Sequence, residues 1–135
     1  GKMEWNRQFS DAIFPPQGYL DSESAMHDSL HPVRGFQRLL QFDFMTEIPL
    51  LATYQHHERM DGLGQPVGIM GKDIPISSKI CAVANRWDGL LSTRKGRAKC
   101  SRLTALGCLD QESIEIRDPK VTKCLKAIMN RNFSE

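Results

Sequence analysis

The sequence has few of the features that mark membrane, secreted or repeat proteins. No apolar run approaches the roughly 20 residues that a membrane-spanning helix needs. The N-terminal segment, GKMEWNRQFSD, has no apolar stretch of the kind found in signal peptides. There is no internal repeat and no low-complexity tract, and 135 residues suffice for one compact domain. We therefore expect residues 1–135 to form a single domain without a membrane span.

Cysteine is scarce and widely spaced. The chain contains no CxxC pair, which makes a zinc knuckle or a disulfide framework a poor explanation of its four cysteines, Cys81, Cys100, Cys108 and Cys124. Isolated cysteines of this kind are commonly reduced core residues. The pattern predicts buried free thiols and a cytoplasmic protein.

The sequence also lacks a strong charge of either sign. Its net charge is +2 and its aromatic content is 7%, so charge alone does not favour nucleic acid or an anionic membrane as a partner. Basic side chains gather in the segment 92–99, but no aromatic residue interleaves with Arg94–Arg102. Aromatic side chains are what single-stranded nucleic acid usually stacks on. Nucleic-acid binding is therefore disfavoured, and the segment is either a solvated basic loop or an anion-binding one.

No stretch alternates apolar and polar residues as a strand would, so the fold class is predicted to be all-α. Capping residues and proline suggest where the helices lie. The expected helices run from Asp21 or Ser22 to about Leu30, from Pro32 onward, from between Thr46 and Pro49 to the paired histidines, from about Pro75, over Ser101–Leu109, and from Asp118-Pro119.

Two of these helices show the apolar periodicity of core elements. The helix that begins near Pro75 has a wide apolar face that includes Ile76, Ile80 and Ala84. The last helix is predicted to turn Cys124 inward along with its larger apolar residues. We expect one shared core that contains Val83, Trp87, Leu90, Val121, Leu125 and Ile128.

A segment rich in glycine and proline separates the third and fourth predicted helices. Residues 61–75 contain four glycines and two prolines, which suit an ordered loop rather than a helix or strand. A loop of this length inside a small helical domain is unusual, and such loops are usually functional. The segment therefore marks a candidate functional site.

Two adjacent histidines, His56 and His57, end the helix that precedes this loop. Neighbouring helical positions point about 100° apart, so we expect the two imidazoles to serve two neighbouring metal ions, one each. His31 could supply a further ligand, as could the aligned positions Cys81, Asn85 and Asp88. On composition alone, a pair of adjacent histidines is more often a half-exposed helix end than a metal site.

The order of these residues resembles the HD-GYP family. The family pattern HHE-x-x-DG-x-GYP-x-G matches HHERMDGLGQPVG at 56–68, and its V-A-D-x-x-DAL matches VANRWDGL at 83–90. Upstream, HPVRGF at 31–36 looks like the family's HP-x-x-G helix start. Downstream, RKGR at 94–97 stands where the family has RPYR, and DPKV at 118–121 resembles its closing D-P-x-V. The resemblance extends over residues 20 to 130, about the whole domain.

The resemblance implies a compact helical bundle of the HD-domain type and a function in bacterial signalling. Members of the family are phosphodiesterases that hydrolyse cyclic di-GMP with two or three metal ions, often iron or manganese. The resemblance implies that His31, His56 and His57 occupy metal-ligand positions. It also implies that Arg94 and Arg97 lie near the phosphates of the dinucleotide.

Three departures from the family pattern weaken the expectation of activity. The His-Asp pair that bridges the metals is absent, and Gly1-Lys2 resembles the end of an HD-x-GK motif, so the pair has either been replaced or lies upstream. A metal-ligand aspartate is Asn85 here, and an amide is a far weaker ligand for a hard divalent ion than a carboxylate. The tyrosine of GYP is Gln65.

Two functions follow from these departures. The chain is either a degenerate or truncated HD-GYP module without catalytic residues of its own, or an active phosphodiesterase whose missing ligands lie upstream. In the first case it binds at most one iron or manganese ion, or none, and recognises cyclic di-GMP, a related dinucleotide, or a signalling protein through the Gly62–Pro66 loop. Glu58, Arg59 and Asp61 are then expected to hold the loop together.

Overall fold

The computed structural model describes residues 22–93, 98–112 and 114–132, with side chains from residue 30 onward. Within these ranges it contains helices and loops but no β-strand longer than one isolated bridge. The helices are α1 (Ser22–Leu39), α2 (Glu47–Gln55), α3 (Ile76–Leu91), α4 (Arg102–Gln111) and α5 (Pro119–Asn132), with one 3-10 turn at Gly71–Asp73. The all-α prediction is confirmed. None of the described helices is both long enough and apolar enough to cross a membrane.

Helix α3 is the centre of the fold. It packs against α2, α4 and α5, while α1 packs against α2. Leu90 of α3 forms a buried cluster with Ala105 and Leu109 of α4. An ion pair of 3.1 Å between Lys79 and Asp118 also joins α3 to the start of α5. The order of packing therefore places α1, α2 and α3 side by side.

The predicted starts of the last two helices, α4 and α5, are confirmed. Ser101 caps α4, because its hydroxyl accepts a hydrogen bond of 3.1 Å from the backbone N–H of Thr104. Asp118 caps α5 by accepting from the backbone N–H of Lys120 at 2.9 Å, and Pro119 is the first helical residue. Because each cap uses a side chain within one turn of the helix, the sequence alone could predict it.

The predicted break between residues 30 and 32 is wrong. Helix α1 continues through Pro32 to Leu39 as one helix of 18 residues. A proline inside a helix removes one backbone hydrogen bond and typically costs about 3 kcal/mol. Pro32 and Leu39 are both almost completely buried, and their packing offsets that cost.

Several residues of the predicted core lie at the surface. Val83, Leu90 and Val121 are buried as expected, and Trp87 and Leu125 are half-buried against the Leu90 cluster. Ile128, however, is 52% exposed, and four other positions that were predicted to face inward are also exposed: Ile76, Ile80, Ala84 and Cys124. Helix α3 buries small residues instead, namely Ser78, Ala82, Val83 and Gly89 beside Leu90. Small side chains let neighbouring helices approach closely, and apolar periodicity does not detect them.

The four cysteines are free, as predicted, but they are not buried. Cys81, Cys100 and Cys108 are half-buried, and Cys124 is exposed. Burial raises the pKa of the Cys81 thiol.

We expect Leu90→Ala to lower the free energy of unfolding by about 2–5 kcal/mol, because it empties a site between α3 and α4 that is 1% exposed. The control is Leu103→Ala on α4, where the side chain is 82% exposed and the change should stay within about 0.5 kcal/mol. Chemical denaturation of both variants measures the difference. Equal effects would show that the Leu90 cluster is not the core of the domain.

Candidate metal site and adjoining pocket

Three histidines from two helices meet at one point. His31 lies in the middle of α1, while His56 is the C-cap of α2 and His57 follows it. His31 Nε2 lies 2.9 Å from His56 Nε2 and 3.1 Å from His57 Nε2. All three rings offer a nitrogen within 4.8 Å of the others, which makes the group a candidate site for a metal ion.

The two adjacent histidines do not point apart. Because His56 ends the helix, His57 lies beyond the regular helical spacing, and the ring centroids are only 4.3 Å apart. Both imidazoles face His31, whose ring centroid is 5.1 Å from that of His56 and 4.8 Å from that of His57. The two rings therefore face one shared space, and the expectation that each imidazole serves its own ion stays a prediction.

The backbone of α2 fixes the tautomer of His56. Nδ1 of His56 donates a hydrogen bond of 2.7 Å to the carbonyl oxygen of Thr53, which lies three residues earlier. Carbonyls in the last turn of a helix have no intrahelical partner, so this one is free to accept. With its proton on Nδ1, a neutral His56 directs the lone pair of Nε2 toward His31. Metal-binding histidines are commonly held in this way.

The surroundings favour neutral imidazoles. Burial lowers the pKa of His56, and the charge of His31 lowers it further. Burial also lowers the pKa of His57 to about 3, together with the neighbouring charges of His56, His31 and Arg117. His57 is the most exposed of the three, yet its Nε2 faces the cluster. Near pH 7 the lone pairs of both residues are available to a ligand.

A pocket opens beside the histidines, between α2 and α3. Its volume is about 320 Å³. Its lining consists of Ala52, Thr53, His56, Cys81, Ala84, Asn85 and Asp88. The predicted alignment of Cys81, Asn85 and Asp88 on one face of α3 is therefore confirmed, and that face borders the pocket.

Glu58 clamps the glycine-rich loop. Its side chain is 3% exposed, and its carboxylate accepts hydrogen bonds from three consecutive backbone N–H groups, those of Val67, Gly68 and Ile69, at 2.7–3.2 Å. A carboxylate with several N–H donors is well satisfied without solvent. The loop is thereby tied to the residue that directly follows the paired histidines.

A second set of contacts closes the start of the loop. Arg59 donates two hydrogen bonds to Asp61, of 3.1 and 2.5 Å, and Asp61 accepts a third from the backbone N–H of Leu63. The Arg59 guanidinium holds the pKa of the Asp61 carboxyl below its usual range. Gln65 is exposed and contributes its backbone N–H, which donates to the His57 carbonyl at 3.1 Å. These contacts support the structural role expected for Glu58, Arg59 and Asp61.

Comparison with known proteins agrees with this geometry. A family model described as HD domain matches residues 11–121 of the chain. The chain belongs to the HD domain family.

The curated relatives of this HD domain include enzymes of cyclic dinucleotide signalling. It is 31% identical over 121 residues to the cyclic di-GMP phosphodiesterase response regulator RpfG of Xanthomonas campestris pv. campestris, covering 88% of this chain and 31% of that protein. It is 33% identical over 124 residues to a cyclic di-GMP phosphodiesterase of Vibrio cholerae, covering 87% of this chain and 25% of that protein.

A third relative has a related specificity. It is the 3'3'-cGAMP-specific phosphodiesterase 3 of Vibrio cholerae, 28% identical over 121 residues, which cover 90% of this chain and 26% of that protein. The HD domain thus spans a third or less of the length of these relatives. The predicted resemblance to cyclic di-GMP phosphodiesterases is confirmed.

The structure shows where one residue that departs from the HD-GYP pattern lies. Asn85 borders the pocket, where the family pattern has a carboxylate. In the described ranges of the chain, no Asp or Glu joins the group formed by the three histidines. Arg94 and Arg97 lie outside the described residues.

Sequence reasoning missed two contributors to the site. Thr53 acts through its carbonyl, which any residue carries, although its place three residues before His56 at a helix end is a usable signal. Arg117, in the loop before α5, lowers the pKa of His57 through its charge, and no local pattern predicts that. It forms an ion pair with Glu112, which also pairs with Arg86 of α3.

Gly64→Ala tests whether the loop needs its close backbone approach. A Cβ at this position would lie 2.5 Å from the Cα of Glu58, so the backbone must move. We expect a loss of about 1–3 kcal/mol in the free energy of unfolding. Gly107→Ala is the matched control, because a Cβ there meets nothing within 4 Å inside α4 and should stabilise by about 0.5–1 kcal/mol. Thermal unfolding measures both changes: the midpoint temperature should fall for Gly64→Ala and rise for Gly107→Ala. Shifts in the same direction would contradict the prediction.

Because of the histidine cluster, we expect the stability of the folded chain to fall as the pH is lowered. Both pKa values are lowered from 6.5 in the folded chain, so the unfolded chain binds more protons below that pH. In chelator-treated protein, the midpoint of thermal unfolding should fall as the pH is lowered from 7 toward 3. The His57→Ala variant should show a smaller fall over the same range. Identical slopes in the two proteins would exclude His57 as a contributor.

Proposed function

We propose that this HD domain is a signalling module of cyclic di-GMP pathways that binds a cyclic dinucleotide or a protein partner and has an incomplete hydrolytic centre. One observation supports this above all: the three clustered histidines are joined by no carboxylate in the described residues, and Asn85 beside them is neutral. We include a cytoplasmic location and a single domain for residues 1–135 in this proposal.

Electrostatics explains why such a site is incomplete. In a two-metal phosphodiesterase, two cations lie roughly 3.5–4 Å apart around an activated water. Their repulsion at that distance must be offset by bound carboxylates. Histidine is neutral when it binds a metal, so three imidazoles offset none of this charge. The carboxylate nearest in sequence, Glu58, is occupied with loop N–H groups.

The pocket supports the binding half of the proposal. Its volume of about 320 Å³ is in the range of small-ligand sites. A phosphate bound at the histidine end would leave a base or ribose to contact Ala84, Asn85 or Asp88. We propose cyclic di-GMP or a related dinucleotide as the ligand, with Arg94 and Arg97 contacting its phosphates. A divalent ion, iron or manganese in the family, would be held by His31, His56 and His57 and would supply Lewis-acid polarisation of a phosphate oxygen.

Exposed apolar side chains on the loop support the proposal of a protein partner as the second kind of ligand. Leu63 is 75% exposed and Val67 is 57% exposed, and both stand on a backbone that Glu58 and Asp61 hold fixed. Apolar side chains on a rigid loop lose little entropy on docking. We propose Gly62–Pro66 as the contact segment.

The alternative is an active metal-dependent phosphodiesterase whose His-Asp ligands are supplied upstream of this chain. Two observations favour it. His31 converges with His56 and His57 although it lies on a different helix, and the loop contacts that hold His57 in place are present. Three of the relatives it matches over most of its length are named as cyclic dinucleotide phosphodiesterases.

We expect the 135-residue chain to bind cyclic di-GMP without hydrolysing it, and Asn85→Asp to leave hydrolysis at the level of the metal-only blank. One substitution restores one carboxylate, whereas the metal bridge would still be missing. Product formation is measured anaerobically with iron or manganese, and binding is measured separately by calorimetry. The Arg94→Ala/Arg97→Ala double variant should weaken binding at least about 100-fold, since each charge-assisted contact contributes roughly 1.5–3 kcal/mol.

Lys123→Ala is the control for that double variant, because Lys123 is an exposed cation on α5 and is not expected to touch the ligand. Hydrolysis by the unmodified chain would overturn the proposal. Hydrolysis only by a longer natural chain that includes upstream residues would establish the alternative. Absence of nucleotide binding in both chains would leave the protein partner as the function to be tested through Leu63→Ser.

A further inference from the structure

The contacts around His31 are those of a cation site rather than of a hydrogen-bonded triad. His56 carries its proton on Nδ1, where it donates to Thr53, so its Nε2 presents a lone pair. His31 Nε2 lies within hydrogen-bond distance of this lone pair and also of His57 Nε2. One N–H on His31 cannot make two linear hydrogen bonds. A metal ion satisfies all three nitrogens at once.

Binding of one ion would draw the three nitrogens closer together. With metal–nitrogen bonds of roughly 2.0–2.1 Å, nitrogens bound to one tetrahedral ion lie about 3.3 Å apart. His31 Nε2 is 2.9 and 3.1 Å from its neighbours, and all three nitrogens lie within 4.8 Å of one another, so the widest pair must close by up to about 1.5 Å around the ion. Two ions would need bridging ligands, and the described residues place none in the group.

The carboxylates closest in sequence are held elsewhere. Glu58 is buried and accepts from the backbone N–H groups of the loop. Asp61 accepts two hydrogen bonds from Arg59 and one from Leu63. Recruiting either carboxylate would leave donors unpaired and open the loop. The ligands that the described chain offers are therefore three imidazoles.

Neutral nitrogen ligands decide which metals bind well. Imidazole suits zinc, copper, nickel and iron, while manganese and magnesium prefer carboxylate and water. Affinity for nitrogen sites rises from manganese through iron and cobalt toward the end of the first-row series. Loss of carboxylates therefore shifts preference away from manganese.

We propose that His31, His56 and His57 form a mononuclear site for a divalent ion of the zinc and cobalt class, in place of a centre of two or three iron or manganese ions. This inference rests on the metal-binding part of the proposed function and is independent of nucleotide binding. The remaining coordination positions are open to water or to an oxygen of a bound phosphate.

Metal titration of the chelator-treated chain, without nucleotide, tests the site. Calorimetry should give one Zn²⁺ per chain, bound about 100-fold more tightly than Mn²⁺. Co²⁺ should produce the visible absorption of a four- or five-coordinate site without a thiolate-to-cobalt charge-transfer band. Because nucleotide is absent, failure here differs from failure of the dinucleotide assay.

Two variants separate this site from adventitious binding. His57→Ala should weaken zinc binding at least about tenfold while helical circular dichroism is unchanged, because His57 is the exposed member of the cluster. Cys81→Ser, which changes a thiol in the same pocket, should leave affinity and spectrum unchanged. Two ions per chain, equal affinity for Mn²⁺ and Zn²⁺, a thiolate band, or a His57→Ala variant that binds as tightly as the parent chain would each overturn the proposal.

Discussion

The contact between the Glu58 carboxylate and three consecutive backbone N–H groups is the constraint on which the site depends. It ties residues 67–69 to the residue that directly follows the two histidines. The backbone bond from Gln65 to His57 adds a second tie at the same place. A buried carboxylate with these donors is costly to release. The loop therefore holds His57 against His31 in a position that the helix alone would not give it.

This use of Glu58 also limits the chemistry of the site. A carboxylate that binds the N–H groups of a loop is not available to a metal, so the negative charge of Glu58 stabilises the loop and not a cation. The aligned face of α3 presents an amide at Asn85 where a second carboxylate would stand. The result is a site with converging nitrogen ligands and little negative charge. This scarcity of negative charge is what supports the proposal of one bound cation rather than closely spaced cations.

Helix packing explains how residues so far apart in sequence meet. Helix α2 contacts both α1 and α3, so its C-terminal end receives His31 from one neighbour and the pocket face from the other. Small residues on α3 allow this approach, since Ser78, Ala82 and Gly89 are buried. Ser78 also donates to the Leu51 carbonyl and contacts Gln55, which joins α3 directly to α2. The larger isoleucines of α3 stand outside.

The helical class, the helix start at Ser101, the cap at Asp118, the loop after α2 and the family could all be predicted from the sequence, because each depends on neighbours within a few residues or on a motif. The sequence also identified His31, His56 and His57 and the alignment of Asn85 with Asp88. Only the tertiary structure decided that α1 continues through Pro32, since burial elsewhere offsets a locally unfavourable residue. Tertiary packing likewise decided that Ile80 and Ile128 face out, that both adjacent imidazoles share one space, and that Arg117 influences His57. These outcomes depend on which helix lies beside which, and residue spacing along one helix does not contain that information.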